Sequence, residues 1–320
     1  MADAGRLMKA LTIWRLLDGK PGHESQTLGL ANAMVRLGGE HDVNVQVYDI
    51  PIRRSDFGPV AWLLRRCVIG KSLPAPDLIM AAGSATHWAL LCARRAYGGR
   101  AVVLMRPSLP LSWFDWVIAP QHDGVSGPNV ISTLGALNPM QPGIKKLGSV
   151  LVLVGGPSKH FEFDVDQVLQ TLKELLTKYP HARITDSRRT PEALSNALAT
   201  QYGKNFNSWK GCSASWLADE LSTADYAWVT MDSVSMIYEA ITAGCQTGLI
   251  PLPYAARTRL AAGIQQLVLE HKVVVWPMNM QKKPMLNLEN EANRVSGILF
   301  QSADIKLSLI APACSESNNE

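Results

Sequence analysis

His23 and Asp18 fall in the segment Asp18-Gly19-Lys20-Pro21-Gly22-His23-Glu24, directly after the apolar run Ala10–Leu17. An imidazole titrates near neutral pH, so His23 could take a proton from a substrate hydroxyl, with Asp18 sharing that duty or orienting the ring. His122 and Asp123 compete for the role of general base, because they leave the strand-like run 115–118 just before Gly124. The turn that contains Gly22 lets backbone N–H groups and a helix start come close to a polar ligand.

A second glycine turn, Gly155-Gly156-Pro157-Ser158-Lys159-His160, follows Val150–Val154 about 130 residues later. Its amides, with Ser158 and Lys159, could be offered to a diphosphate. Arg188 and Arg189 follow another strand-like run, where phosphate oxygens would sit, and Thr190-Pro191 can cap and open the next helix. Arg106 ends the run 101–105 and could hold a carboxylate or phosphate, or form a structural ion pair. The strongest local pattern is Val229-Thr230-Met231-Asp232-Ser233-Val234-Ser235-Met236-Ile237-Tyr238-Glu239. A strand ends there and a helix begins, so Ser233, Ser235 and the free amides could hold a phosphate at the positive helix end. Glu239 lies one helical turn beyond Ser235 on the same face, where a carboxylate could accept both hydroxyls of a ribose.

These residues need elements to hold them. The pattern predicts strands near 10–17, 43–48, 77–81, 101–105, 115–118 and 129–132, with helices near 24–38, 58–69 and 84–97. A turn-rich linker, Gly135–Gly143, separates these from strands near 149–154, 182–186, 225–230, 246–250 and 273–276. Helices near 164–178, 191–202, 213–223, 233–243 and 257–270 alternate with them. Alternating, continuously apolar strands imply crossover units and parallel sheets covered on both faces. The expectation is an α/β chain of two Rossmann-like, doubly wound domains, 1–143 and 144–310, with a polar tail over 311–320. Ligands of open α/β sheets bind beyond the strands' carboxyl ends, and every motif above falls at such an end.

Neither a dinucleotide GxGxxG nor a GxxxxGK[ST] phosphate loop is present, which removes support for nicotinamide enzymes and P-loop NTPases. The five cysteines are scattered and never in CxxC spacing, arguing against a disulfide scaffold or zinc site and for a reducing cytoplasm. No apolar run reaches the roughly 20 residues of a membrane span, and no signal peptide is evident. The formal net charge of +4 is unevenly spread. Arg53, Arg54, Arg65, Arg66 and Lys71 flank Phe57, Val60, Trp62, Leu63, Leu64 and Val68. Such a basic segment fits an anionic membrane surface, or an ordinary surface helix with a buried stripe. No nucleic-acid-binding motif accompanies the charge, so no nucleic acid partner is expected.

The segments Asp18–Ala31, Gly155–His160, Ser187–Pro191 and Asp232–Met236 resemble the Elm-like family, which comprises bacterial glycosyltransferase-like proteins and a plant mitochondrial-fission factor. The resemblance runs from about residue 10 to 275. It implies a GT-B fold, two Rossmann-like domains facing across a cleft, with a nucleotide sugar on the C-terminal one. The first loop is also similar to the histidine-bearing glycine loop of the peptidoglycan N-acetylglucosamine transferase, another GT-B enzyme, which implies that His23 lies near the acceptor. Glu239 matches by placement the glutamate that binds donor ribose in GT-B enzymes. Met231 and Tyr238 depart from the family pattern, which has smaller residues there.

The resulting expectation is a metal-independent glycosyltransferase with no cofactor. It would move sugar from a nucleotide diphosphate sugar to a lipid-linked or saccharide acceptor of the cell envelope, at the inner face of the membrane. A non-catalytic scaffold on the same frame, recruiting partners at a membrane, is the alternative from another class. A nucleotide-sugar epimerase is the alternative enzyme.

Overall fold

The computed structural model describes residues 9–255, 258–278 and 290–302; the polar tail expected over 311–320 lies outside the described residues. Successive strand residues face opposite ways, and the apolar runs use both directions. Leu78, Met80 and Ala82 enter one core while Ile79 and Ala81 enter another. Both faces of that strand must therefore be covered by helices, which is why it is parallel and central.

The first half runs β1 (Lys9–Leu17), α1 (Pro21–Glu40), β2 (Val43–Pro51), α2 (Pro59–Leu63), β3 (Leu78–Ala82), α3 (His87–Tyr97), β4 (Arg100–Leu104), β5 (Trp116–Pro120) and β6 (Val130–Thr133). Its six strands are parallel in the order β2-β1-β3-β4-β5-β6. The second half runs β7 (Lys146–Leu153), α4 (Val165–Lys178), β8 (Arg183–Thr185), α5 (Glu192–Tyr202), β9 (Phe206–Asn207), α6 (Trp216–Thr223), β10 (Ala224–Thr230), α7 (Val234–Thr242), β11 (Gln246–Ile250), α8 (Arg259–Leu269) and β12 (Val274–Val275). Its six parallel strands are ordered β12-β11-β10-β7-β8-β9. Strand order reverses between β1 and β3 in one sheet and between β7 and β10 in the other. Each reversal opens a crevice at the carboxyl ends of the strands.

Several details differ from the sequence expectation, among them β9 (Phe206–Asn207), a sixth strand of the second sheet that was not expected. Helix α1 begins at Pro21, a residue suited to a first helical position, so His23 and Glu24 lie in its first turn. The basic helix expected over 58–69 is only the five residues of α2. Arg65 takes φ +53° and Arg66 donates its N–H to Ala61 O at 2.9 Å, closing the helix so that Cys67 can turn inward. Finally, α9 (Glu291–Ser302), a helix that was not expected, packs on α1 of the first half. Its Ala292, Val295, Leu299 and Phe300 are buried in one core with Leu30 and Met34 of α1.

The connection between halves is tightly held. Asn138 Nδ2 donates to Thr242 Oγ1 at 3.0 Å, and half-buried Lys145 donates its Nζ to Leu221 O at 2.9 Å and Ala243 O at 2.6 Å. Gly29 of α1 lies against this linker, where an added Cβ would stand 2.5 Å from the Asn138 backbone. Gly29→Ala is therefore expected to lower stability by about 1–3 kcal/mol, against alanine's helix preference of about 1 kcal/mol. Gly39→Ala, with nothing within 4 Å of its new Cβ, should leave stability unchanged or raise it. Thermal denaturation of the pair reads the two signs.

Candidate functional site

At the first reversal, β1 runs out into Asp18-Gly19-Lys20 and α1. Asp18 Oδ2 lies 2.9 Å from His23 Nδ1, and the carboxylate is almost fully buried while the imidazole is one-fifth exposed. A carboxylate on Nδ1 holds the ring in the tautomer that carries its proton there, leaving Nε2 as a proton acceptor. The ring rests on Gly83, just past β3. An added Cβ there would fall 2.2 Å from His23 Cε1, and Gly83 has φ +83°, so glycine is required twice over. Glu24 Oε1 accepts the Gly19 N–H at 2.9 Å and ties the loop shut.

Below this loop sits Arg15, which sequence reasoning missed. It is buried in β1, pairs with Asp49 at 2.9 Å and donates to Glu24 O and Thr27 Oγ1, both at 3.3 Å. A lone arginine inside an apolar strand was the available signal, since a buried charge demands partners.

At the second reversal, the loops after β7, β8 and β10 converge on Asp232. Its Oδ2 accepts the Gly156 N–H at 2.9 Å and Arg189 Nη2 at 2.8 Å, while Gly155 donates to Thr230 Oγ1 at 2.7 Å. Oδ1 is buried with no partner among the described residues. Burial pushes the Asp232 carboxyl above its ordinary range, opposed by the Gly156 amide, Thr230 and Arg189. An added Cβ at Gly155 would meet Asp232 Oδ2 at 2.2 Å, and one at Gly156 would clash with the Arg189 backbone. The two amides expected to face a diphosphate are thus engaged by protein groups. Arg189 is engaged too, donating also to Gly156 O at 2.9 Å. Ser158 Oγ accepts from the His160 and Phe161 amides at 3.3 Å and closes its own turn.

What stays open on this wall is the start of α7. Ser233 is buried and makes no capping bond, so the first amides of the helix lack a side-chain acceptor. Ser235 is exposed and Met236 half-buried. Glu239 is half-buried, its carboxyl makes no hydrogen bond or ion pair among the described residues, and burial raises that carboxyl to about 7. Lys159 and Arg188 are exposed, Arg188 stacking 5.7 Å over the Trp209 ring.

His122, Asp123 and Arg106 turn out to belong to the joint between the halves. Asp123 Oδ2 accepts the Arg106 N–H at 3.3 Å, and Asp123 O accepts from Arg106 at 3.4 Å and from Arg259 of α8 at 3.2 Å. His122 stacks on Tyr238 with ring centroids 6.5 Å apart and lies against Gly263. Its pKa is lowered, chiefly by burial, with Asp123 raising it and Arg259 lowering it. Among the described residues no carboxylate hydrogen-bonds the His122 ring as Asp18 does that of His23. A cavity of about 450 Å³ at this joint is lined by Asn138, Tyr238, Thr242, Glu291 and Arg294 among others, and includes neither His23 nor Asp232.

The halves face each other across the cleft as in GT-B proteins. A Listeria monocytogenes protein assigned as a UDP-N-acetylglucosamine 2-epimerase superposes with a TM-score of 0.51, at 10% identity, over 80% of this chain and 82% of its own. A Neisseria meningitidis UDP-GlcNAc 2-epimerase bound to UDP-GlcNAc gives 0.49 at 13% identity, covering 92% of this chain and 99% of that one. In sequence, the uncharacterized protein RP120 of Rickettsia prowazekii (strain Madrid E) is 24% identical over 90% of this chain and 98% of its own length. The model of one family, described as mitochondrial fission ELM1, matches residues 21–302, and the chain belongs to that family.

Proposed function

We propose that the chain transfers a sugar from a nucleotide diphosphate sugar to a hydroxyl of a cell-envelope acceptor. The observation that carries this reading is the division of labour between the two reversals. One wall holds a carboxylate-oriented histidine with no partner on Nε2 among the described residues; the other holds an open helix start beside a glutamate unpaired among them. In the reaction, His23 Nε2 takes the acceptor's proton as its oxygen bonds to the anomeric carbon, and the carbon–oxygen bond to the diphosphate breaks. Charge develops on the departing diphosphate. The α7 amides, Ser233, Ser235, Lys159 and Arg188 supply positive potential and hydrogen bonds there. Glu239 accepts the ribose hydroxyls.

A panel of nucleotides and nucleotide sugars tests the donor half by thermal stabilisation. A donor at 100 times its Kd adds about 2.7 kcal/mol, and silence across the panel would sink the proposal. Conversion of a bound donor to its epimer, without net loss of sugar nucleotide, would instead assign an epimerase. For a responsive donor, His23→Ala should cut turnover by about 10²–10⁴ and leave donor binding intact. Asp18→Asn should follow it in direction, since the tautomer is then no longer held. Retained turnover in His23→Ala would remove the histidine from the chemistry.

The Glu239 carboxyl, raised from 4.5 to about 7, destabilises the fold as pH climbs from its unfolded value through 7, because the folded state then holds the extra proton. Glu239→Gln should accordingly raise stability at pH 8 by about 1–3 kcal/mol and change little at pH 5. The same variant should weaken nucleotide binding most at pH 8, where the ionised acceptor is strongest. Unchanged affinity there would rule out the ribose contact.

A further inference from the structure

We propose that the face built from residues 53–71 and Trp113 docks on an anionic phospholipid bilayer. The shortness of α2 is what creates this face. The five-residue helix and the turn after it leave Val60 at 70%, Leu63 at 65%, Leu64 at 53% and Val68 at 65% exposure. Trp113 joins them at 42%, stacked on Trp62 with centroids 6.4 Å apart and rings nearly parallel, and Trp88 meets its edge at 5.9 Å. Large apolar side chains grouped in this way on a surface mark a contact site.

Charge identifies what covers it. Arg53, Arg54, Arg65, Arg66 and Lys71 are all exposed, and no side-chain hydrogen bond or ion pair engages them among the described residues. The segment's one acid, Asp56, accepts from Ser55. Five cations against one acid equal the formal net charge of the whole chain, +4, so the remainder is neutral overall. Apolar side chains ringed by unpaired arginines match lipid tails beneath anionic headgroups. A second copy meeting this face with the same face would oppose five cations to five cations, which disfavours a two-fold dimer here.

The location is also apt. Ile52 donates its N–H to Leu17 O at 2.9 Å, which places Arg53 beside the loop that carries Asp18. A bilayer bound here lies at the histidine wall of the cleft, where a lipid-linked acceptor would enter. Docking itself goes beyond the transferase reading and does not require it.

Co-sedimentation of the full chain with vesicles of phosphatidylcholine alone, and of phosphatidylcholine with phosphatidylglycerol, tests this without any nucleotide. Binding to the anionic vesicles should be tighter by about ten-fold or more and should fall as salt rises. Arg65→Glu/Arg66→Glu should abolish the preference for anionic lipid, and Leu63→Ser/Leu64→Ser should weaken binding to it. Both variants alter only exposed side chains; circular dichroism checks that they remain folded. Equal sedimentation with both vesicle types, sedimentation with neither, or wild-type binding by both folded variants would overturn the proposal. So would a concentration-dependent dimer dissociated by Leu63→Ser/Leu64→Ser, which would give the face to a second copy. Vesicle binding combined with a silent nucleotide panel would leave docking standing and remove the transferase reading alone.

Discussion

The buried carboxylate of Asp232 governs the second half of the molecule. A charge out of water must be met by hydrogen bonds and a counter-charge, and three separate loops are drawn together to meet it. The loop after β7 gives the Gly156 amide, the loop after β8 gives Arg189, and β10 delivers the carboxylate itself. Arg189 also holds the Gly156 and Pro157 carbonyls. The reversal point of the sheet is thereby pinned by one anion, and the start of α7 is set next to it. Among the described residues, protein groups occupy Oδ2 but not Oδ1, so the pin is incomplete on one side.

Arg15 does comparable work in the first half with the sign reversed. A buried cation in β1 gathers Asp49, Thr27 and the Glu24 carbonyl, fixing the first turn of α1 so that His23 lands on Asp18 and Gly83. Both halves thus rest on a buried charge, Arg15 in the first and Asp232 in the second. The family and fold relationships agree with this two-walled plan, while the chemistry rests on the residues themselves.

Alternation of apolar runs and helical patterns was enough to read the two parallel sheets, because strands covered on both faces leave an unmistakable continuous apolar signature. The Asp18–His23 pair was legible for a local reason: five residues across a tight strand-to-helix turn can meet without help from elsewhere. Long-range geometry was not. Gly155 and Gly156 look from sequence like a phosphate cradle, and only the folded arrangement shows Asp232 and Thr230 taking those amides. His122 and Asp123 leave a strand at the right end, yet Tyr238 and Arg259 from the other half claim them. Helix α9 carries a readable stripe in Ala292, Val295, Leu299 and Phe300, but no local pattern says which sheet it covers.

That last helix has a mechanical consequence. The chain leaves the first half through the Asn138–Lys145 linker and comes back to it by way of α9, so the halves are joined at two places. Bodies joined at one point can swivel freely, whereas two attachments define an axis. Separating the halves would therefore pull α9 off α1 and open the core that Leu30, Met34, Val295 and Leu299 share.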